Sequence, residues 1–172
     1  TSIMKKVETA TAMNLLMQGI SFMELGQEFG RTKLVATGEN GELTHDDRER
    51  AMNSYNAPDQ VNQVDWNLLS KHQDSVNFIR QIIQLKTTRK EFSYSTYEEI
   101  YQHVYVRQAQ TNSGLIIFEV KDKKHYLVVF NASGTPYRLE NADKLKLVVS
   151  NNRSKINTEV ENLTASVFEI LA

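Results

Sequence analysis

The sequence predicts an α+β chain in two parts, with helix, strand, long loop and helix up to about residue 102 and antiparallel strands from about residue 103. Two patterns carry this prediction. In the first part, apolar residues recur at the three-to-four spacing of helices. In the second part, short β-rich runs alternate with turn residues, which is typical of an antiparallel sandwich. We therefore predict two domains, 1–102 and 103–172.

The first part begins with an amphipathic pattern over Ile3–Met17, which predicts a helix. Gly19 ends it. A short, mostly apolar run, Ile20–Leu25, follows and is closed by Gly26, which is typical of a buried parallel strand. The polar stretch after it, Gln27–Asp65, predicts a connection of unusual length, and ordered loops of that length are usually functional.

Helical periodicity returns over Asp74–Thr88, with Asp74 or Ser75 as the expected cap, and a short helix is expected over Thr96–Gln102. The predicted strands then follow closely. They centre on Val104 and Val106, Leu115 to Val120, Tyr126 to Phe130, Tyr137 and Leu139, Leu145 to Val149, and Ala165 to Ile170.

A single buried parallel strand is physically incomplete, because its backbone groups need partners on both edges and its two faces need cover. The rest of the sequence offers no parallel neighbours. We therefore expect a partner segment, N-terminal to Thr1, that supplies the remainder of an α/β sheet or barrel. The chain alone is then expected to expose apolar surface or to self-associate.

Composition argues against several partners. The net charge is −1, from 20 basic and 21 acidic residues, so the chain lacks the strong field of a nucleic-acid or anionic-membrane binder. It has no cysteine, which excludes disulfides and thiolate metal sites. Neither a membrane span nor a signal peptide is indicated. We expect a cytoplasmic location, with an extracellular or cell-surface one left open.

Two long motifs carry a family resemblance: G-I-S-F-M-E-L-G-Q-E-F-G-R-T-K at 19–33 and S-Y-N-A-P-D-Q-V-N-Q-V-D-W at 54–66. Their order and spacing resemble type I pullulanases, in the α-amylase superfamily, glycoside hydrolase family 13. The resemblance implies the eighth strand of a (β/α)8 barrel, the loop after it, a last barrel helix and a C-terminal β-sandwich. Ser21 departs from the usual proline.

The resemblance implies the C-terminal part of a debranching enzyme that hydrolyses α-1,6-glucosidic bonds in pullulan, glycogen or limit dextrins. The family's catalytic carboxylates lie on earlier strands, and no H-D-N-type motif occurs here. We therefore assign no catalytic residue and expect the chain alone to be inactive. The alternative is a carbohydrate-binding or scaffold β-sandwich module without catalysis. An H-D-N motif encoded upstream would separate the two.

The resemblance implies sugar contacts in the 54–66 loop. Asp59 matches the motif aspartate, and Asn62 matches an asparagine, while Gln63 stands where some relatives have arginine. Such side chains can bind vicinal hydroxyls, and Tyr55 could stack on a sugar ring. The alternatives are hydrogen bonds within the loop for the polar residues and packing on the scaffold for Tyr55. An α-glucan is the expected substrate.

Glu28 and Arg31 are predicted to support the site. Glu28 and Asp59 could be nominated as a hydrolytic pair. The family's different assignment favours Glu28 as a loop anchor that binds backbone N–H groups. Trp66, which directly precedes the predicted helical region, is predicted to lie in the core.

No metal site is predicted. His45 stands beside Asp46 and Asp47, but adjacent residues rarely point at one ion, and the other histidines show no ligand spacing. No cofactor is required by the predicted chemistry. Calcium in the longer parent protein is left open, although no EF-hand pattern occurs in these residues.

Overall fold

The computed structural model describes residues 2–152 and 158–171. The helices are α1 Ser2–Leu16, α2 His45–Met52, α3 Asp59–Asn62, α4 Asn67–Lys71, α5 Gln73–Thr88 and α6 Tyr97–His103. The strands are β1 Val104–Gln108, β2 Leu115–Lys121, β3 His125–Asn131, β4 Tyr137–Arg138, β5 Leu145–Ser150, β6 Glu159–Val160 and β7 Thr164–Ile170. Short 3-10 turns lie at Gln27–Phe29, Lys90–Phe92 and Ala142–Lys144.

The larger sheet has five strands in the order β1-β2-β3-β7-β5, and every neighbouring pair is antiparallel. The central pairing is regular, with Phe118 opposite Val128 and Val128 opposite Val167. The register of β1 against β2 shifts between Val106 and Gln108, which marks a bulge. A second, two-stranded sheet pairs β4 with β6.

The main core lies between the sheet and helices α1 and α5. Leu16 and Ile82 are fully buried from the helix side, and Val120, Val128 and Val167 are fully buried from the sheet side. Side chains alternate across a strand, so one face of each central strand meets the helices. The apolar core therefore contains residues from both sides of the predicted boundary between residues 102 and 103. The division of the chain into two domains stays a prediction.

The other face of the sheet packs a smaller core under the β4-β6 sheet. Ile117, Val129 and Phe168 meet Leu139 and Val160 there. Two short strands therefore cover this face, whereas α1 and α5 cover the opposite face, and the predicted β-sandwich stays a prediction.

The predicted helices at Ile3–Met17, Asp74–Thr88 and Thr96–Gln102 correspond to α1, α5 and α6, within a residue or two at each end. The predicted cap of α5 is wrong. No side chain caps its first turn. Ser75 is instead buried and donates its hydroxyl to Glu8 of α1. Glu8 also accepts from Asn151, just after β5, at 2.9 Å, so one carboxylate joins two helices and the sheet.

The predicted strand at Ile20–Leu25 is also wrong for this chain. The segment has no strand pairing, and Ile20 is 90% exposed and Phe22 83% exposed. Side chains hold its backbone instead. Asn14 donates to the Phe22 carbonyl at 2.7 Å, and Lys86 donates to the Met17 and Gly19 carbonyls. An apolar run without neighbouring strands cannot make strand hydrogen bonds, so it forms no strand here.

The sequence predicts a polar connection over residues 27–65, and the structure places α2 and α3 within it. The strands predicted from about residue 103 correspond to β1 to β5 and β7, and β6 is the one strand among the described residues that the sequence does not predict. None of the described helices is both long enough and apolar enough to span a membrane.

Candidate functional site

The turn that follows the apolar run at residues 20–25 is shaped by Gly26 and Glu28. Gly26 has a φ of 90°, a left-handed conformation that glycine adopts without strain. Its N–H donates to the Glu28 carboxylate at 3.1 Å. Glu28 therefore makes the backbone contact that the loop-anchor interpretation requires. Its predicted support of a sugar site stays a prediction.

Arg31 joins this turn to the 54–66 loop. Its guanidinium donates to the Leu25 carbonyl at 3.2 Å and to the Asn62 carbonyl, and it lies 3.5 Å from the Glu24 carboxylate. The side chain is only 12% exposed. Its Nε is buried without a hydrogen-bond partner among the described residues. The two motifs singled out in the sequence are thus in direct contact.

Asn62 closes the 54–66 loop on itself. Its amide donates to the Ser54 carbonyl at 2.8 Å and to the Ala57 carbonyl at 3.1 Å. Buried Val61 anchors the same turn of α3 from beneath. Both hydrogens of the Asn62 amide are used inside the loop. In this structure the amide therefore makes hydrogen bonds within the loop, the alternative to a sugar contact.

Three other predicted side chains, Tyr55, Asp59 and Gln63, remain free. Tyr55 is 89% exposed, and Asp59 and Gln63 are also exposed. Within the described part of the chain, no hydrogen bond or ion pair engages these three side chains. Asp59 lies in the first turn of α3, after Pro58. The loop therefore presents a carboxylate, an amide and an aromatic ring to solvent from a tethered backbone.

Trp66 does not lie in the core, contrary to the sequence prediction. It is 60% exposed, and its ring contacts Phe29 with centroids 6.0 Å apart. Phe29 is almost fully buried in the turn that carries Glu28. Trp66 therefore packs at an angle beside Phe29 and leaves most of its side chain exposed.

Helix α2 is fixed to the preceding segment by Asp47, which the sequence suggests only as a neighbour of His45 and not as an anchor. Its carboxylate accepts from the Thr44 and Thr37 N–H groups at 2.9 and 3.0 Å and from the Thr37 hydroxyl at 2.7 Å. These hydrogen bonds, with the Thr44 backbone first, lower the pKa of the Asp47 carboxyl well below its usual range. The spacing of Thr44 and Asp47 is a capping-box signal that the sequence carries.

The neighbours of Asp47 do not form a metal site. His45 is 83% exposed, and its nearest carboxylate oxygen, on Asp46, is 3.9 Å away. Over residues 2–152 and 158–171, no group of three or more His, Asp or Glu side chains is arranged to hold a metal ion. His103 and His125 instead make contacts along β2 and its neighbours.

Taken together, residues 24–31 and 54–66 form one surface. Its backbone is held by Arg31, Asn62 and Glu28, and its free groups are Tyr55, Asp59 and Gln63. Such a surface can accept and donate hydrogen bonds to hydroxyl groups and can offer an aromatic face. The Glu28 carboxylate of this surface is engaged with the Gly26 N–H.

No protein-family model matches the chain. Individual proteins do. The chain is 29% identical over 140 residues to a pullulanase of Bacillus subtilis (strain 168), a match that covers 77% of this chain. The crystal structure of an Anoxybacillus sp. LM18-11 pullulanase complexed with maltotetraose superposes on 97% of this chain, with a TM-score of 0.75 and 29% identity. The chain is related to pullulanases.

A Paenibacillus barengoltzii pullulanase, solved in complex with maltohexaose and α-cyclodextrin, matches 96% of the chain with a TM-score of 0.71 and 26% identity. The chain spans only 17% of the Bacillus subtilis relative and 23% and 25% of the two solved pullulanase chains. The similarity therefore concerns the C-terminal portion of these larger proteins and extends across almost all of this chain.

Proposed function

We propose that this chain is part of a debranching enzyme that hydrolyses α-1,6-glucosidic bonds in pullulan, glycogen or limit dextrins. One observation carries the proposal: the chain matches, over 97% of its length and at 29% identity, a pullulanase that was solved with maltotetraose. The match includes both helices and sheet, so it is more than the shared shape of a β-sandwich.

The proposed task of this segment is to hold the glucan and not to cut it. Tyr55, Asp59 and Gln63 offer unpartnered side chains on a loop whose backbone is tethered by Arg31 and Asn62. A tethered loop loses little freedom when a sugar binds, which favours affinity. Asp59 would accept hydrogen bonds from vicinal hydroxyls, and Tyr55 would stack on a pyranose ring.

The hydrolytic groups are expected in the preceding barrel strands of the longer protein. Retaining glycosidases need two carboxyl groups about 5 to 5.5 Å apart, with one as nucleophile and the other as acid and then base. Glu28 is bonded to Gly26 N–H, and Asp59 is an exposed side chain of another loop, so we assign neither role to this chain. Retention through a glycosyl-enzyme is the mechanism that we propose for the whole protein.

The test is to read the coding sequence upstream of Thr1 and to express the complete protein. We expect an H-D-N-type motif upstream and hydrolysis of pullulan by the complete protein but not by the 172-residue chain. A complete protein that carries the motif region but releases no reducing sugar from pullulan would overturn the proposal. A sequence without that motif whose product binds glucan would favour the accessory-module alternative.

A further inference from the structure

A cleft of about 510 Å³ lies on the face of the large sheet that is turned away from α1 and α5. Strands β1, β2 and β3 form one side of it, and the segment from β4 to the start of β5 forms the other. Its floor is apolar and is made by Ile117, Leu127, Leu139, Leu145 and Ile170. Its rim is polar and includes Arg107, Glu119, Tyr137 and Asn141. It shares no residue with the 54–66 loop.

A β-bulge brings two consecutive side chains to this cleft. In a regular strand, Arg107 and Gln108 would point to opposite faces. The register shift between Val106 and Gln108 places Gln108 opposite Ile117, and both Arg107 and Gln108 then line the cleft. Bulges often re-aim side chains beside binding sites. The bulge therefore adds a second polar group to the rim at no cost to the pairing of β2 with β3.

The rim is already organised by Glu119. Its two carboxylate oxygens accept from Arg107 Nε at 2.8 Å and from His125 Nε2 at 2.7 Å. Burial opposes ionisation of Glu119, but these two hydrogen bonds outweigh it and hold the pKa of the carboxyl below its usual value. Arg107 is thereby fixed by one N–H group, and its side chain is 61% exposed, so its other N–H groups remain accessible to a ligand.

The opposite side of the cleft carries groups without partners. Tyr137 is half-buried, and burial raises the pKa of its phenol, so it is a hydroxyl donor at neutral pH. Neither its hydroxyl nor the Asn141 amide has a side-chain hydrogen bond within the described part of the chain. Two cations, Arg107 and Lys144, balance two carboxylates, Glu119 and Glu140, among the lining residues. The cleft therefore suits a neutral ligand with many hydroxyl groups and some apolar surface.

We propose that this cleft binds a linear α-glucan chain, with Tyr137 against a sugar ring and Arg107, Gln108 and Asn141 on its hydroxyl groups. The choice of an α-glucan rests on the function proposed above, whereas the neutral, hydroxyl-rich chemistry rests on the cleft itself. One glucan polymer can bind this cleft and, at the same time, the 54–66 loop of the same molecule or of another molecule. Even weak binding in the cleft then raises the effective concentration of substrate at the loop.

The test is a ¹H–¹⁵N NMR titration of the 172-residue chain with maltotetraose, with cellotetraose as the β-linked comparison. We expect maltotetraose to shift the signals of Arg107, Gln108 and Asn141, and cellotetraose to shift them much less. Asn141→Gly should weaken maltotetraose binding about five-fold, which corresponds to one neutral hydrogen bond. Asn141 has a φ of 49°, a conformation that glycine tolerates, so the fold is kept.

Asn112→Gly is the matched control, because Asn112 also has a left-handed φ, of 64°, and lies outside the cleft. It should bind like the parent chain. Tyr137→Phe keeps the ring and removes only the hydroxyl, and it should weaken binding several-fold, with Tyr101→Phe on α6 as its control.

Three results would overturn the proposal: no cleft signal that moves up to the solubility limit of the sugar, equal binding by Asn141→Gly and Asn112→Gly, or equal shifts with both sugars. This failure is distinguishable from failure of the debranching function. The latter is measured as pullulan hydrolysis by the complete protein and does not require the cleft. Cleft shifts without pullulan hydrolysis would support a glucan-binding module and overturn the debranching function. Hydrolysis without cleft shifts would support the debranching enzyme and overturn the cleft proposal.

Discussion

Two regions of this molecule are stabilised in opposite ways. Helix α5 and the large sheet bury their apolar side chains inside the chain, as Ile82 shows with no exposure at all. The segment from residue 17 to residue 66 exposes many of its own, including Ile20 at 90%, Met52 at 85% and Trp66 at 60%. Polar side chains hold its backbone instead, through Arg31, Asn62 and Asp47.

The difference shows where the chain is self-sufficient. Burial of apolar area is the main source of folding free energy, so the helix-sheet core should stay folded by itself. The exposed apolar groups of residues 17–66 are the kind of patch that marks an interaction surface. That a partner segment covers the apolar run stays a prediction, whereas the polar tethers of Arg31 and Asn62 are present in this chain.

The core should be the most sensitive to truncation. Ile82→Ala removes a fully buried side chain between α5 and the sheet and should lower the free energy of unfolding by about 2 to 5 kcal/mol. Ile83→Ala, on the same helix, removes a side chain that is 37% exposed and should cost less than half as much. Chemical denaturation followed by circular dichroism measures both. Equal losses would contradict the claim that burial of apolar side chains stabilises the helix-sheet region.

The exposed apolar run should control self-association rather than stability. Phe22→Ser replaces a side chain that is 83% exposed, so the unfolding midpoint should hardly move. If the run mediates contacts between copies, each contact buries the Phe22 phenyl ring. Loss of that burial costs about 1.5 to 3 kcal/mol of association free energy and weakens association by about ten-fold or more. Light scattering across a concentration series reports it. A parent chain that is monodisperse and binds no hydrophobic dye would contradict the expected association.

Loss of the Arg31 hydrogen bonds between the two motifs should affect only the neighbouring loop. Arg31→Gln removes the donors to the Leu25 and Asn62 carbonyls and should weaken the loop by about 1.5 to 3 kcal/mol, the range for hydrogen bonds to charged groups. Hydrogen exchange should speed up at residues 54–63 and not in β3. Lys33→Gln, which loses only a surface pair with Glu24, is the control. Faster exchange throughout the sheet would show that the regions are not independent.

Acid should loosen the attachment of α2 to residues 37–44 before it unfolds the helix-sheet core. The pKa of the Asp47 carboxyl is lowered in the folded chain, so its stabilisation is present above the ordinary aspartate pKa, about 3.9, and is lost as the pH falls through the folded-state pKa. Asp47→Asn should remove this acid-dependent step, whereas Asp46→Asn, at an exposed neighbour, should keep it. Amide NMR signals of α2 followed against pH provide the measurement. A parent chain whose α2 signals do not respond to acid would contradict the assignment.

Much of the fold follows from periodicity. Helix α5 and strands β2 and β3 were predicted within one or two residues because their own burial pattern determines them. The run at Ile20–Leu25 was mispredicted because strand pairing depends on neighbours that lie far away in sequence or outside this chain. Trp66 was mispredicted for a related reason, since its burial depends on what covers Phe29 and the rest of its ring.

The residues of the candidate site could be nominated from the sequence, but their hydrogen-bond partners could not, and their sugar-binding role stays a prediction. The two motifs named Asp59, Asn62, Gln63, Tyr55, Glu28 and Arg31, and the structure brings the two motifs into contact through Arg31. Which side chains are free and which are tied up could not be read from spacing. Asn62 is used inside the loop, and Asp59 is not, because only the folded turn decides which carbonyl groups lie within reach.

The most direct test of the proposed function compares two exposed first-turn aspartates in the complete protein. Asp59→Ala should lower kcat/KM for pullulan by about ten-fold or more, since a hydrogen-bonded carboxylate contributes about 1.5 to 3 kcal/mol. Asp46→Ala, on α2, should leave it unchanged. Pullulan turnover that is the same for Asp59→Ala, Asp46→Ala and the parent protein would contradict the assignment of the 54–66 loop to the glucan.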